Sequence, residues 1–410
     1  MKRGWEVKKL KEVCAKITDG THQTPKYFDD GVVFLSSKNV TSGKIDWNNI
    51  KYIDEKQHLE MHKRVAPRVG DILLAKNGTT GVAAMVDKDV VFDIYVSLAH
   101  IRVLDKVSPH YMLYFINSPI AKKQFNKRLK GSGVPNLHLE EIREVEIPFP
   151  SSLQEQQSIV SILDEAFTAI DKAKAKAQQN LKNAKELFES YLQNLFLNPK
   201  ENWQIKKWGD LCHFVRGPFG GSLKKSIFKE SGYVVYEQKH AIHDHFNQLR
   251  YFIDEEKFNE MARFEVKSGD IIMSCSGVTL GRVAIVPDGI PRGIINQALL
   301  KLTPNKDVSA HFLKHWLRSK IFQDIIFRYS GGAAIPNVPS AKILKDIKIP
   351  FPKLDEQNKI VNEIETVLIE TKRLEAIYQQ KINDLEELKK SILQKAFAGE
   401  LTNKKLEYEL

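Results

Sequence analysis

The residues able to do chemistry in this 410-residue chain suggest recognition rather than reaction. His240, His243 and His245 crowd around Asp244. No cysteine or second histidine pair stands at ligand spacing beside them, so a polar loop is expected there and no metal. The run from Gly217 to Ser222 is glycine-rich but lacks the spacing of a GxxxxGK[ST] phosphate loop. There is no GxGxxG after a strand, and no Asn-Pro-Pro-Tyr or Asp-Pro-Pro-Phe of the kind adenine methyltransferases use. Cys14, Cys212 and Cys275 cannot all pair and none stands in a CxxC, so reduced thiols are expected. No residue is expected to be catalytic, and His22 reads as a loop residue rather than a base. What the chain does offer is side chains that suit base edges: Arg or Lys for guanine, Asn or Gln for adenine, Ser or Thr less selectively. In the first half these are Thr21, His22, Gln23, Lys38, Asn39, Lys76, Asn77, Thr79 and Thr80. In the second half they are Lys224, Lys225, Gln238, Lys239, His240, Ser274, Ser276 and Thr279. Arg128, Lys130 and Arg328 flank glycine turns and suit the phosphate backbone, where contacts position without specifying.

The elements that must position these groups are written twice. Trp5-Glu6-Val7-Lys8-Lys9-Leu10 returns as Trp203-Gln204-Ile205-Lys206-Lys207-Trp208, and Gly70-Asp71-Ile72-Leu73 as Gly269-Asp270-Ile271-Ile272. Asn77-Gly78-Thr79-Thr80-Gly81 and Ser276-Gly277-Val278-Thr279-Leu280-Gly281 each precede an apolar run. Gly131 to Asn136 matches Gly332 to Asn337, and Ile147-Pro148-Phe149-Pro150 is identical to Ile349-Pro350-Phe351-Pro352. Leu153-Gln154-Glu155-Gln156 then matches Leu354-Asp355-Glu356-Gln357. An ordered repeat of this kind must be settled before the fold is read. Residues 20–65 and 218–265 share almost nothing, as expected if one frame serves two different targets.

Each repeat holds a block of mixed helix and strand, then a segment of another kind. Gly70-Asp71 and Gly269-Asp270 read as tight turns into buried strands, and helical spacing spans Pro109–Lys130 and Ser309–Arg328. Ile-Pro-Phe-Pro is an extended lead-in, because proline disfavours helix before it. Ser151-Ser152, with Glu155 beyond, then reads as a capping box. Apolar residues follow at steps of three and four from Ile159 to Leu195 and from Ile360 to Ile392. Two such stripes predict an antiparallel coiled-coil pair. About 45 residues at about 1.5 Å each make a rod of roughly 65–70 Å. The expected fold is therefore α+β: two tandem globular domains separated by two long antiparallel helices, in an internal pseudo-two-fold repeat. The expected bounds are 1–150 and 201–352 for the domains, 151–200 for the first helix, and 353–410 for the second helix with the tail.

The formal net charge is +11. Residues 1–150 carry 24 Lys+Arg against 18 Asp+Glu, residues 203–352 carry 22 against 14, and the rest sum to −3. Positive charge confined to the two blocks suits a nucleic-acid partner. The longest apolar runs are far too short to span a bilayer, and a cytoplasmic location with no membrane partner is expected.

Over its whole length the sequence resembles the specificity subunits of type I restriction–modification enzymes. The resemblance lies in Ile17 to Pro25, in both Ile-Pro-Phe-Pro/Leu-x-Glu-Gln junctions, and in the ending Ile392 to Leu401. It implies that each block is a target-recognition domain reading one half of a bipartite, gapped double-stranded DNA site. It implies helices that set the gap and dock two modification subunits, which bind S-adenosylmethionine and methylate adenine. A restriction subunit using ATP and magnesium can join, and this chain itself carries no active site and binds no cofactor. The second block departs from the pattern, with Val215 to Gly221 in place of Asp19-Gly20-Thr21-His22. A non-catalytic coiled-coil bridging or architectural DNA-binding protein is the alternative reading.

Overall fold

A computed structural model describes residues 4–129, 135–329 and 336–401. The chain divides into two compact units: residues 1–178 with 380–410, and residues 179–379. The first repeat runs β1 (Trp5–Lys9), α1 (Leu10–Val13), β2 (Cys14–Asp19), β3 (Val32–Leu35), β4 (Lys51–Ile53), α2 (Glu55–Met61), β5 (Ile72–Ala75), β6 (Ala83–Met85), β7 (Phe92–Ile94) and β8 (Leu98–Val103). It continues through α3 (Pro109–Ile116), α4 (Pro119–Arg128), α5 (Leu139–Arg143) and β9 (Glu146–Pro150) into the long helix α6 (Leu153–Leu197). The second repeat follows the same order: β10 (Gln204–Lys207), α7 (Trp208–Leu211), β11 (Cys212–Arg216), β12 (Tyr233–Tyr236), α8 (Gln238–His243), β13 (Phe252–Ile253), α9 (Glu255–Glu260), β14 (Ile271–Ser274), β15 (Val283–Ile285), β16 (Gly293–Ile295) and β17 (Leu299–Pro304). Then come α10 (Ala310–Arg318), α11 (Lys320–Tyr329), α12 (Ala341–Asp346), β18 (Lys348–Phe351) and the long helix α13 (Leu354–Ala398).

In the first unit an antiparallel sheet is ordered β2-β8-β5-β6, and a second sheet, β4-β3-β7, pairs β3 with β7 in parallel. The second unit repeats this as β11-β17-β14-β15 and β13-β12-β16. β5 is apolar on both sides, as a strand covered on both faces must be. Ile72 and Leu74 enter a core with Tyr111, Phe115 and Phe149, while Leu73 and Ala75 enter one with Leu35, Phe92 and Leu98.

The expected turns are real. Gly70 and Gly269 take φ of +89° and +84°, and their N–H groups donate to Val86 and Val286. Where helical spacing spans Pro109–Lys130, the structure has two helices. Ser118 caps the second by accepting the Ala121 N–H, with Pro119 at its first turn. The span Ser309–Arg328 likewise breaks at Ser319.

The Leu-x-Glu-Gln motif explains itself at each junction. β1 pairs antiparallel with β9, and β10 with β18. The indole N–H of Trp5 donates to Glu155 (3.0 Å), as that of Trp203 does to Glu356 (3.1 Å). Gln156, fully buried, accepts the Ser108 N–H at 2.8 Å and donates to Pro150 O at 3.0 Å. Gln357 repeats both bonds with Ser309 (2.8 Å) and Pro352 (2.9 Å). The helices pack antiparallel inside each unit. In the first, Lys174 pairs with Glu386 (2.7 Å) and Lys389 with Asp171 (2.6 Å), over buried Ile170 and Ile382. Phe397 stacks edge-on against Tyr111 and Phe115. In the second, Leu192 and Phe196 share a core with Ile360 and Ile364. No helix among the described residues is long and apolar enough to cross a membrane.

Candidate nucleic-acid interface

Because β8 runs antiparallel to both β2 and β5, the C-terminal ends of β2 and β5 and the start of β8 share one sheet edge. Three loops of the first unit converge there on residues 95–97. Thr21 donates its N–H to Ile94 O (3.0 Å) and accepts that of Val96 (2.9 Å). Lys76 donates its N–H to Ser97 O (3.0 Å), while the Ser97 hydroxyl accepts the Ser37 N–H (3.0 Å). Residues 135–137 join by bonds from Gly78 to Pro135 and from Leu137 to Lys76. The second unit builds the same edge around residues 296–298. Gly217 donates to Leu299 O (2.9 Å), Cys275 to Ala298 O (2.9 Å), and Asn296 to Tyr236 O (2.9 Å). The shared frame imposes a shared glycine. A Cβ on Gly20 would sit 1.9 Å from Ile94 O, and one on Gly217 would sit 1.9 Å from Asn296 O.

The pairing makes Asp19 the counterpart of Arg216, since each opposes the second residue of its partner strand, Ala99 of β8 and Leu300 of β17. In the first unit Asp19 is buried and binds Arg64 and Lys76, the latter at 3.1 Å. Burial opposes its charge, but Arg64 and Lys76 outweigh that and hold its carboxyl below the ordinary value. In the second unit Arg216 stands at that place and Cys275 at that of Lys76. Burial pushes the Cys275 thiol up to about 12, so it is not a thiolate at neutral pH. Burial lifts Cys14 and Cys212 equally, to about 12.

Several side chains picked out by type are spent inside. Lys76 is only 6% exposed and belongs to Asp19. Asn39 is buried, donating to Asp46 O and Asn49 O and accepting the Ser36 N–H, so it folds its own loop. His240 is fully buried, accepting the Glu237 N–H and bonding Gln248 O, and burial lowers its pKa. Ser274 donates to Thr279 O and accepts from Arg282 N, closing its turn. Gln238 braces the next turn by accepting from Cys275 and Ser276. Thr21 is buried, and its hydroxyl accepts the Gln23 N–H. Lys239 pairs with Glu237 (3.2 Å). Asp244 binds Lys314 (2.7 Å) and Arg318 (3.1 Å), so its carboxylate is engaged by cations.

Exposed at the edge in the first unit are His22, Gln23, Lys38 and Thr79, with Thr80 half-buried. Asn77 is half-buried and its Oδ1 has no partner among the described residues, nor does that of Asn136 across an isolated bridge. In the second unit Lys224 and Lys225 are exposed, with Ser276 and Thr279 half-buried. Arg128 lies 3.9 Å from Glu141 and Arg328 bonds its own helix at Asp324 O, while Lys130 falls outside the described residues. Two residues that selection by polarity passes over stand out furthest. Phe219, at the place of His22, is 92% exposed, and Val278 in the equivalent turn is 87% exposed. The signal was in the sequence: an aromatic between glycines in a loop has no core to enter.

The model of the type I restriction modification DNA specificity domain matches residues 2–183 and again 200–387. The chain is similar to the type I restriction enzyme MjaVIII specificity subunit of Methanocaldococcus jannaschii, 24% identical with 85% of this chain and 83% of that one covered. It is also similar to the EcoKI specificity subunit of Escherichia coli, 22% identical with 97% and 89% covered. Among solved structures, the HsdS subunit from Thermoanaerobacter tengcongensis superposes with a TM-score of 0.63 at 20% identity, covering 98% of each chain. A chain from a study of complex assembly and conformational transition in the type I R-M system gives 0.73 at 19% identity, covering 98% and 99%. With two copies of that domain in one polypeptide, the chain belongs to the type I restriction modification DNA specificity domain family, and its role is DNA sequence specificity.

Proposed function

We propose that each domain reads one half of a bipartite, gapped site in double-stranded DNA, and that the chain directs partner subunits there without reacting itself. One observation carries this reading: the two units build the same sheet edge and fill it with different chemistry, Asp19, Lys76 and His22 against Arg216, Cys275 and Phe219. A duplicated frame with divergent contacts suits two unlike targets better than a single bridging role. The continuous helices α6 and α13, each 45 residues, would set the gap and dock two modification subunits. S-adenosylmethionine would bind those subunits, and ATP and magnesium a restriction subunit where one joins. Within the edges, Gln23, Asn77 and Thr79 suit base contact, and Lys38, Lys224 and Lys225 suit phosphates.

Adenine methylation mapped by single-molecule sequencing, with and without this gene and with the neighbouring modification subunit expressed, is expected to lose one gapped two-part motif. An unchanged methylome would favour the bridging reading. Phe219 makes a sharper case. An aromatic ring presented to DNA stacks on a base or meets a thymine methyl, worth about 1–3 kcal/mol. Phe219→Ala is therefore expected to weaken binding of the assembled complex about 5- to 150-fold at one half-site, leaving the other half's base preferences intact. Equal affinity in the variant would remove Phe219 from the reading surface.

A further inference from the structure

Two histidines from the variable stretch of the first domain form a polar cluster with an aspartate of β7. His58 and His62 lie one turn apart on and just after α2, and Asp93 faces them from β7. His58 Nδ1 is 2.7 Å from one Asp93 oxygen and His62 Nδ1 is 3.0 Å from the other. Asp93 is 1% exposed, and the histidine side chains are 12% and 31% exposed. Among the described residues this is the one group of three His, Cys, Asp or Glu side chains close enough to share an ion.

The second domain shows what the fold requires at this place. β3 pairs Phe34 with Asp93 as β12 pairs Val235 with Ile294, and α2 and α9 start from equivalent caps, Asp54 and Asp254. His58, His62 and Asp93 therefore correspond to Phe258, Ala262 and Ile294. Phe258 and Ile294 are buried together in an apolar core. The frame is content with hydrocarbon here, and a buried carboxylate is seldom more stable than the apolar side chains that could replace it. Stability alone thus does not account for the polar trio.

We propose that His58, His62 and Asp93 bind one divalent transition-metal ion of the zinc class. Two imidazoles and one carboxylate are a donor set that zinc takes up, with a fourth position left for water. Each imidazole would coordinate through Nδ1 and carry its proton on Nε2, so both rings remain neutral and Asp93 remains ionised. Ligands at about 2.0–2.2 Å in a tetrahedron lie roughly 3.3 Å apart. The two nitrogens now face different Asp93 oxygens at 2.7 and 3.0 Å, and all the ligand atoms lie within 4.8 Å of one another, so small side-chain rotations of the partly exposed histidines would bring them to that spacing. The ion would brace the reading edge. Two residues beyond His62, Arg64 binds Asp19, and one residue beyond Asp93, Ile94 O accepts the Thr21 N–H. The bracing rests on the function proposed above, whereas the binding site does not.

The test uses the untagged full-length chain, stripped with a chelator and dialysed. Zinc titration against a chromophoric competitor is expected to give one ion per chain, and cobalt to give the visible absorption of a four-coordinate site. Loss of an outer-sphere partner alone costs about 10–100-fold, so Asp93→Asn and His62→Ala should each weaken binding by more than about 100-fold. A third variant, His58→Phe with His62→Ala and Asp93→Ile, installs the second domain's apolar trio and should fold without taking up metal. If the native chain binds no ion, or if His62→Ala binds as tightly as the native chain, the site is not where we place it.

Discussion

Replacing Asp19 with alanine is expected to erase the discrimination made by the first domain. The carboxylate holds Lys76, only 6% exposed, and binds Arg64, which also reaches the Asp19 carbonyl beneath the loop bearing His22 and Gln23. Removing one partner of a buried charge pair costs about 3–5 kcal/mol, because the other is left uncompensated. Affinity of the assembled complex for its own site should therefore fall by about 100-fold or more. Affinity for unrelated DNA should hold or rise, since the edge gains net positive charge and non-specific binding is electrostatic. Competition binding with specific and scrambled duplexes at two salt concentrations reads both effects. A parallel drop on both duplexes would mean that the domain has merely unfolded, and no drop on either would remove Asp19 from the reading machinery.

The second large effect concerns stability. Asp71 is 3% exposed, and its carboxylate accepts from Arg102 (2.8 and 2.7 Å), His100 (2.7 Å) and the Arg68 N–H (2.9 Å). Asp71→Ala should destabilise the first unit by about 3–5 kcal/mol. Its melting transition should fall by about 10 °C. Its counterpart Asp270 accepts, among the described residues, from the Thr303 hydroxyl and the Lys267 N–H, so Asp270→Ala should cost about 1–2 kcal/mol. Burial opposes ionisation of Asp71, but Arg102 and His100 prevail and hold its carboxyl far below the ordinary carboxylate value. A carboxyl depressed by folding stabilises fully above its unfolded pKa of about 3.9, and loses that contribution as pH falls towards the folded value. The gap between native chain and variant should therefore be constant near neutrality and close below about pH 4. A gap that widened in acid would show that the pair is not what supports the turn.

Much of the frame was legible in the sequence, because it rests on signals that repeat or are local. The two Leu-x-Glu-Gln junctions, the glycine turns before β5 and β14, and the helical stripes depend on neighbours a few residues away. The convergence of loops around residues 95–97 and 296–298 was half legible: equivalent positions pointed to the turns at 76–81 and 274–281, but sheet order was needed to bring residues 20–24 beside them. Side-chain type did not tell which polar groups face outward. Asn39, Ser274 and His240 suit base contact as well as Asn77 does, yet each bonds backbone five to ten residues further along the chain. Polarity also hid Phe219. The His58, His62 and Asp93 cluster escaped because its carboxylate lies 31 residues beyond the nearer histidine and only strand pairing joins them.

The pairing of β1 with β9, and of β10 with β18, has a consequence for inheritance. Each domain is a closed cassette whose polypeptide enters and leaves through the same two-stranded clasp, locked to its helix by one tryptophan and one glutamine. A domain ending in the same clasp would keep these contacts to its helix whatever loops it carries between the two strands. If each domain reads its own half-site, as proposed, replacing one whole domain would change that half's specificity in a single step, without passing through forms that recognise nothing.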